Sequence, residues 1–272
     1  MSDLLIALLV GLVQGLLEWL PVSSEGAVAL VAALVGGFSP AAAVQFGLFL
    51  HLGTALSATA YYRAEIAALL ADLRRWRPKS AFGTETADLS FLVLATLATG
   101  LTGVPALLVL DSVLSEFEGA AFVALIGVLL VLTGLVQRFA AAVTLGDRER
   151  PNWIDAILVG VLQGFTILPG ISRSGTTVSA LLLRGHEGES SLRLSFLLSI
   201  PASLAATVLV VLKDGAPAID PLAGLLALAV SALVGFAAVD TLVRIVRKVP
   251  FWAVCVGFGA LAVVGGGVVL LA

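Results

Sequence analysis

The chain has 272 residues, of which 60% are hydrophobic and only 12% charged, with a mean hydropathy of +1.11. Soluble domains carry about 25% charged residues, so this composition excludes an ordinary water-soluble core and points to an all-α polytopic membrane protein. A net charge of -3 and a pI near 5.4 exclude the basic footprint of a nucleic-acid binder, and a single cysteine, Cys255, excludes a disulfide framework.

The N-terminal Met1-Ser-Asp3 lacks the positive charge of a signal peptide, so the apolar run over 4–20 is expected in the mature fold. That run meets Glu18, stops at Pro21 and restarts over 27–35. Neither piece makes up the roughly 20 residues that a 30 Å hydrocarbon layer needs. The two read as half-helices joined by an irregular turn, a re-entrant hairpin. Irregular backbone at that depth is tolerated only inside protein or beside a watery cavity. Spans long enough to cross follow at 42–62, 90–110 and 119–138. A second broken run, 154–168, stops at Pro169-Gly170 and restarts over 176–183, and further spans follow at 192–212, 221–243 and 251–271. Cys255, inside the last of these, reads as a small core residue. The expected fold is one membrane domain over 1–272, with six transmembrane helices plus two re-entrant helix hairpins.

The two breaks carry one motif written twice. Gly11-Leu-Val-Gln-Gly-Leu-Leu-Glu-Trp-Leu-Pro-Val-Ser-Ser-Glu-Gly26 and Gly160-Val-Leu-Gln-Gly-Phe-Thr-Ile-Leu-Pro-Gly-Ile-Ser-Arg-Ser-Gly175 match at Gln14/Gln163, Gly15/Gly164, Ser23/Ser172 and Gly26/Gly175, always 149 residues apart. Residues 45–58 then lie over 193–206. Each half, about 1–140 and 150–272, holds one hairpin and three spans. An odd number of crossings turns the second half upside down, so the repeat is predicted to be inverted, with a shared site near the midplane. Loop charge agrees with this. Arg63, Arg74, Arg75, Arg77, Lys79, Arg138, Arg148, Arg150, Arg184, Arg193, Arg244, Arg247 and Lys248 fall on one side, all but two of the 15 basic residues. The opposite loops hold Asp111, Glu116, Glu118, Lys213, Asp214 and Asp220. Basic loops stay cytoplasmic, which places both termini outside the cell membrane. The first hairpin then dips from outside and the second from the cytoplasm.

Charged groups set in apolar surroundings are functional candidates by default. Gln14 and Glu18, four apart, share a helix face, and the turn Val22-Ser-Ser-Glu-Gly26 offers hydroxyls and N–H groups where the second half-helix begins. Helix N-termini favour anions. In the second knot, Ser172-Arg-Ser-Gly-Thr-Thr177 adds a planar guanidinium, a phosphate cradle. Plainer readings stand beside these. Glu18 and Arg173 could form a structural ion pair, the serines could simply cap half-helices, and Gln14 and Gln163 could bond broken backbone. His51 reads as a hydrogen-bonded packing residue and His186 as a solvated loop residue. Asp155 and Asp240 are expected to face headgroups. Trp19, Trp76, Trp153 and Trp252 suit interfaces, with Trp19 also able to line the site.

The sequence LxQGxxEWLPVSS followed by PGISRSG, with the HLGT segment at His51–Thr54, resembles the undecaprenyl-pyrophosphate phosphatase family, the bacitracin-resistance phosphatases, over nearly the whole chain. The resemblance implies a membrane hydrolase that removes the terminal phosphate of a C55-type polyprenyl diphosphate, with a divalent cation (Mg²⁺ or Ca²⁺) as cofactor and a site open to the outer face. It implies Glu18, Ser24 and Arg173 as catalytic residues, Ser24 being the nucleophile and Glu18 a base or metal ligand. Gln14, Ser23, Gly26, Ser172, Ser174, Gly175 and Thr177 would bind substrate. One departure matters: the family reads PVSSxGH where this chain has Pro21-Val-Ser-Ser-Glu-Gly-Ala27. An alanine replaces the expected imidazole, and an extra acid, Glu25, stands in the turn. Glu18 could then act as base, a metal-bound water could attack, or the activity could be weak or altered; His51 could also lend its ring from the neighbouring span. The alternative class is a polyprenyl-phosphate transporter of the same architecture. Oligomeric state stays open, a homodimer included.

Overall fold

The computed structural model describes residues 2–117, 119–142, 148–246 and 248–271. Of the charges named above, Glu118 and Arg247 lie outside the described residues, as do the side chains of Asp111 and Asp240. The first half contains α1 (Asp3–Leu17), α2 (Ser24–Gly36), α3 (Pro40–Tyr61), α4 (Arg63–Asp72), α5 (Ala87–Leu114) and α6 (Gly119–Ala142). The second contains α7 (Trp153–Gly164), α8 (Arg173–Leu183), α9 (Gly188–Asp214), α10 (Pro221–Val246) and α11 (Phe251–Leu271). Short 3₁₀ turns sit at Pro78–Ser80 and Phe165–Ile167. Six of these helices, α3, α5, α6, α9, α10 and α11, are long and apolar enough to cross a membrane. They start and end within a few residues of the predicted spans. The chain is a multi-pass membrane protein.

Local signals set the helix boundaries. Ser39 caps α3 by accepting from the Ala42 N–H at 3.3 Å, with Pro40 in the first turn where its missing N–H costs nothing. Asn152 and Asp155 form a reciprocal capping box at the start of α7. Gly37, at φ +71°, closes α2 in the left-handed conformation that glycine adopts without penalty. The surface helix α4 was not expected. Its alanines and leucines are good helix formers, but it buries no residue, so no apolar face gave it away.

The packing pairs are reciprocal between the halves. The α1–α10 contact corresponds to α7–α5, while α3 packs on its counterpart α9 and α6 on its counterpart α11. Small residues make these contacts close, as membrane helices require. A methyl group added at Gly15 would come within 2.9 Å of the Ser231 carbonyl on α10. Its repeat partner Gly164 lies as tightly against Thr102 and Gly103 of α5. Gly11 and Gly160 repeat that contact one turn earlier.

Three expectations are corrected here. Asp155 does not face headgroups: it is fully buried and receives Arg184 Nε at 2.5 Å and His186 Nε2 at 3.1 Å. His186 is therefore not a solvated loop residue but only 3% exposed. The physical reason is that the chain beyond α8 folds back over the start of α7, where the Arg148 N–H donates to the Gly185 carbonyl at 2.8 Å. A carboxylate buried by that fold gathers cations around itself. Trp19 is likewise internal and does not line the site. Its Nε1–H donates to Gly235 at 2.9 Å, and its ring meets Phe196 edge-on at 5.3 Å. Of the other tryptophans, Trp153 is exposed, and Trp252 lies 4.6 Å beneath the Arg138 guanidinium. Cys255 is a buried free thiol, as expected.

Candidate active site

The tips of the two hairpins meet. Ser23 caps α2 by accepting from Gly26 N–H at 3.0 Å, and the same oxygen accepts the Gly170 N–H of the second tip, also at 3.0 Å. Ser172 caps α8 in the repeated way, accepting from Gly175 N–H at 3.1 Å. Ser174 Oγ donates back to the Leu20 carbonyl at 3.1 Å. Gly26 and Gly175 lie behind the turns. A side chain at Gly26 would press on Gly170, and one at Gly175 on Gln137. Their place among the expected binding residues is thus to let the two turns approach.

Glu18, the residue that ends α1, sits where the tips join. Its Oε1 receives Arg173 NH2 at 2.5 Å. Its Oε2 accepts from Ser24 Oγ at 2.7 Å and Gln14 Nε2 at 3.0 Å, and His51 Nε2 lies 3.5 Å away. A buried ion pair survives only when its other valences are satisfied, and this carboxylate is surrounded by donors. Arg173 gives a second N–H to the Ser195 carbonyl at 3.3 Å, while its Nε–H is buried with no partner. Thr177 holds that turn of α8, donating to the Arg173 carbonyl at 3.0 Å and lying 2.6 Å from the Ser195 hydroxyl. Arg173 therefore keeps a donor in reserve at a helix N-terminus, the arrangement that receives an anion.

These groups line a cavity of about 150 Å³, into which Glu18, Ser23, Ser24, Glu25, His51, Ser172, Arg173 and Ser174 all face. The α5 and α9 helices complete the lining, largely with small and apolar residues such as Gly103, Val104, Ala202 and Ala206, beside the hydroxyls of Thr96, Thr99 and Ser203. Gln14 and Thr177 stand behind the lining rather than in it. Two residues matter more than the motif alone suggests. Glu25 is 6% exposed, lines the chamber, and has an Oε1 with no partner. His51 points at the Glu18 carboxylate rather than only packing. The signal for Glu25 was its charge in the first turn of an apolar helix. For His51 the signal was the HLGT segment, with an imidazole lent from the neighbouring span among the alternatives.

Part of the expected chemistry asks for a divalent cation. Among the described residues no three His, Cys, Asp or Glu side chains converge to hold one. Mg²⁺, however, commonly takes only one or two carboxylates and completes its shell with phosphate oxygens and water. Both Glu18 oxygens are engaged, whereas Glu25 Oε1 is a buried acceptor left over. The site fits a cation that arrives with a phosphorylated substrate and meets Glu25.

The sequence pattern of the bacitracin resistance protein BacA matches residues 7–263. The undecaprenyl-diphosphatase of Haloarcula marismortui is 64% identical over 271 residues, covering 100% of both chains. That of Methanococcoides burtonii is 40% identical over 94% of this chain and 96% of its own, and that of Methanopyrus kandleri 37% identical over 96% and 95%. With two hairpin motifs, six spans and a whole-length match in agreement, the chain belongs to the BacA family of bacitracin resistance proteins.

Proposed function

We propose that this protein is an undecaprenyl-diphosphatase, a membrane hydrolase that removes the terminal phosphate of a polyprenyl diphosphate and leaves the monophosphate lipid. The observation that carries this reading is the single carboxylate shared by a serine and an arginine. Ser24 Oγ and Arg173 NH2 both bond Glu18, in a cavity that α5 and α9 line largely with small and apolar residues. The family membership and the names of its relatives agree with it.

In this reading the prenyl tail lies against α5 and α9 while the diphosphate enters the chamber. Arg173 receives the phosphate oxygens with its unused Nε–H and the N–H groups at the start of α8. Preorganised donors of this kind stabilise charge without reorganising in the reaction. Ser24 attacks the terminal phosphorus as its proton passes to Glu18 Oε2. The bond to the bridging oxygen breaks and polyprenyl phosphate leaves. Water then cleaves the phosphoserine. Gln14 holds Glu18 from behind, and Ser23 and Ser172 keep both turns in place. A divalent cation held by Glu25 and the substrate would neutralise phosphate charge.

The halves are proposed to be inverted in the cell membrane, with both termini outside and the chamber opening outward, as the loop charges require. The chamber is built within one chain, so a homodimer is not needed to complete it. A transporter would use the same hairpins but has no use for a serine placed 2.7 Å from a base. The test is phosphate release from a polyprenyl diphosphate by purified protein in detergent, where transport has no meaning. The wild type should turn over, and Arg173→Ala should be inactive while remaining folded. Binding without turnover by the wild type would favour the carrier, and full activity in Arg173→Ala would remove the arginine from the mechanism.

A further inference from the structure

Ala27, where the resemblance leads one to expect an imidazole, does not line the chamber. The chamber nevertheless has an imidazole. His51 is 9% exposed, and its Nδ1 lies 2.9 Å from the Gly47 carbonyl one turn earlier in α3. A carbonyl oxygen only accepts, so Nδ1 must carry the hydrogen. The tautomer is thereby fixed by the backbone of the same helix, and Nε2 is the nitrogen free to gain or lose a proton. That nitrogen faces Glu18 Oε2 at 3.5 Å, the same oxygen that accepts the Ser24 hydroxyl at 2.7 Å.

Two lone pairs do not attract. In the neutral ring, Nε2 and the carboxylate oxygen have no bond to share until a proton arrives between them. Glu18 is meanwhile poorly placed to keep one, since it already accepts from Arg173, Gln14 and Ser24. We propose that His51 is the terminal acceptor of the nucleophile's proton, forming a Ser24–Glu18–His51 relay in which α3 supplies the imidazole missing from the hairpin. This deepens the phosphatase reading and rests on it.

The relay balances. As Ser24 Oγ bonds to phosphorus, its proton moves to Glu18 Oε2 and on to His51 Nε2, giving imidazolium. The electron pair of the broken P–O bond leaves on polyprenyl phosphate, which carries the proton away. In the second half, water attacks the phosphoserine and gives its proton to the same pair of acceptors. These return it to Ser24 as inorganic phosphate departs. His51 acts through Glu18 and is a positioning and proton-storing residue, not a ligand of the reacting phosphorus. The charged groups facing it are Glu18, Glu25 of α2 and Arg173 of α8. From α5 and α9 only Thr, Ser and apolar side chains line the chamber, and α10 meets this part of α3 through Ser231.

The test compares the wild type with His51→Gln and His51→Ala, using purified protein and a polyprenyl diphosphate. General-base assistance is worth about 10²–10⁴-fold. His51→Gln, which keeps a donor but cannot store a proton, should lower kcat by about 10²-fold with KM within about threefold. The shape of the pH–rate profile should differ between the wild type and His51→Gln. Added imidazole should restore part of the rate in His51→Ala. A kcat within about threefold of wild type in His51→Gln would overturn the relay, as would a loss with an unchanged pH profile and no response to imidazole. If Ser24→Ala is inactive while His51→Gln is not affected, the relay fails and the phosphatase reading stands.

Discussion

Ser23 and Ser24 are adjacent, chemically identical and both buried, yet the structure gives them opposite work. Ser23 Oγ accepts two backbone N–H groups, one from its own helix at Gly26 and one from the other hairpin at Gly170. Ser23→Ala therefore loses a helix cap, at a cost of about 1 kcal/mol. It also strands the Gly170 N–H in the interior, at a further cost of about 1–3 kcal/mol. Ser24 accepts neither bond. It donates one hydrogen bond to Glu18, which keeps Arg173 and Gln14 when the hydroxyl is removed. Ser24→Ala should cost about 1 kcal/mol in stability but, as the nucleophile, about 10³-fold or more in phosphate release. The assay is paired: denaturant or thermal unfolding in detergent, and phosphate release measured on the same preparations. Ser23→Ala should be the less stable variant by about 1–3 kcal/mol, and Ser24→Ala the less active of the two. Equal stability of the two variants would refute the bridging role of Ser23. Phosphate release by Ser24→Ala within about tenfold of the wild type would refute the nucleophile.

Other perturbations separate packing from chemistry. Gly15→Ala forces a methyl group to 2.9 Å from a backbone oxygen of α10 and should destabilise by about 1–3 kcal/mol in the same unfolding assay. Gly257→Ala, with nothing within 4 Å, should be neutral or slightly stabilising. Asp155→Asn leaves Arg184 and His186 without their charge partner. Because Arg184 reaches solvent, the cost should be about 1–3 kcal/mol rather than that of a fully buried pair, with faster hydrogen exchange in the first turn of α7. Phosphate release by the surviving folded fraction should match wild type, and a catalytic defect at normal stability would show that the cluster does more than staple. Glu25→Gln should weaken Mn²⁺ binding in the presence of methylenediphosphonate, read by electron paramagnetic resonance, by about tenfold or more. Unchanged Mn²⁺ affinity would free Glu25 from that role.

The six spans and the two helix breaks were legible because the bilayer constrains them so heavily. Uninterrupted apolar length, Pro21, Pro169-Gly170 and the serine caps each signal locally where a helix must begin or end. The meeting of Glu18 with Arg173 was legible for a different reason. Two charges placed in matching halves of a repeat must be buried somewhere, and each is the other's least costly partner. What stayed hidden is whatever depends on a segment folding back without a repeat to announce it. The Asp155–Arg184–His186 cluster needs the chain after α8 to return over α7, and neither hydropathy nor spacing encodes that return. His51 stood in the sequence only as one alternative source of an imidazole, because its repeat counterpart is Ser199 and the symmetry of the halves does not call for a ring there. The halves are alike where they hold backbone together, at Gly15/Gly164 and Ser23/Ser172. They differ where the proposed chemistry needs unlike groups, at Glu18 against Ile167, Arg173 against Ser24 and His51 against Ser199. A symmetric scaffold can thus supply two equivalent turns, but an acid, a nucleophile and a phosphate anchor require that the equivalence be broken. Residues at which the repeat fails inside the shared chamber are accordingly the ones whose exchange, one half's side chain for the other's, should abolish turnover while leaving the helices packed.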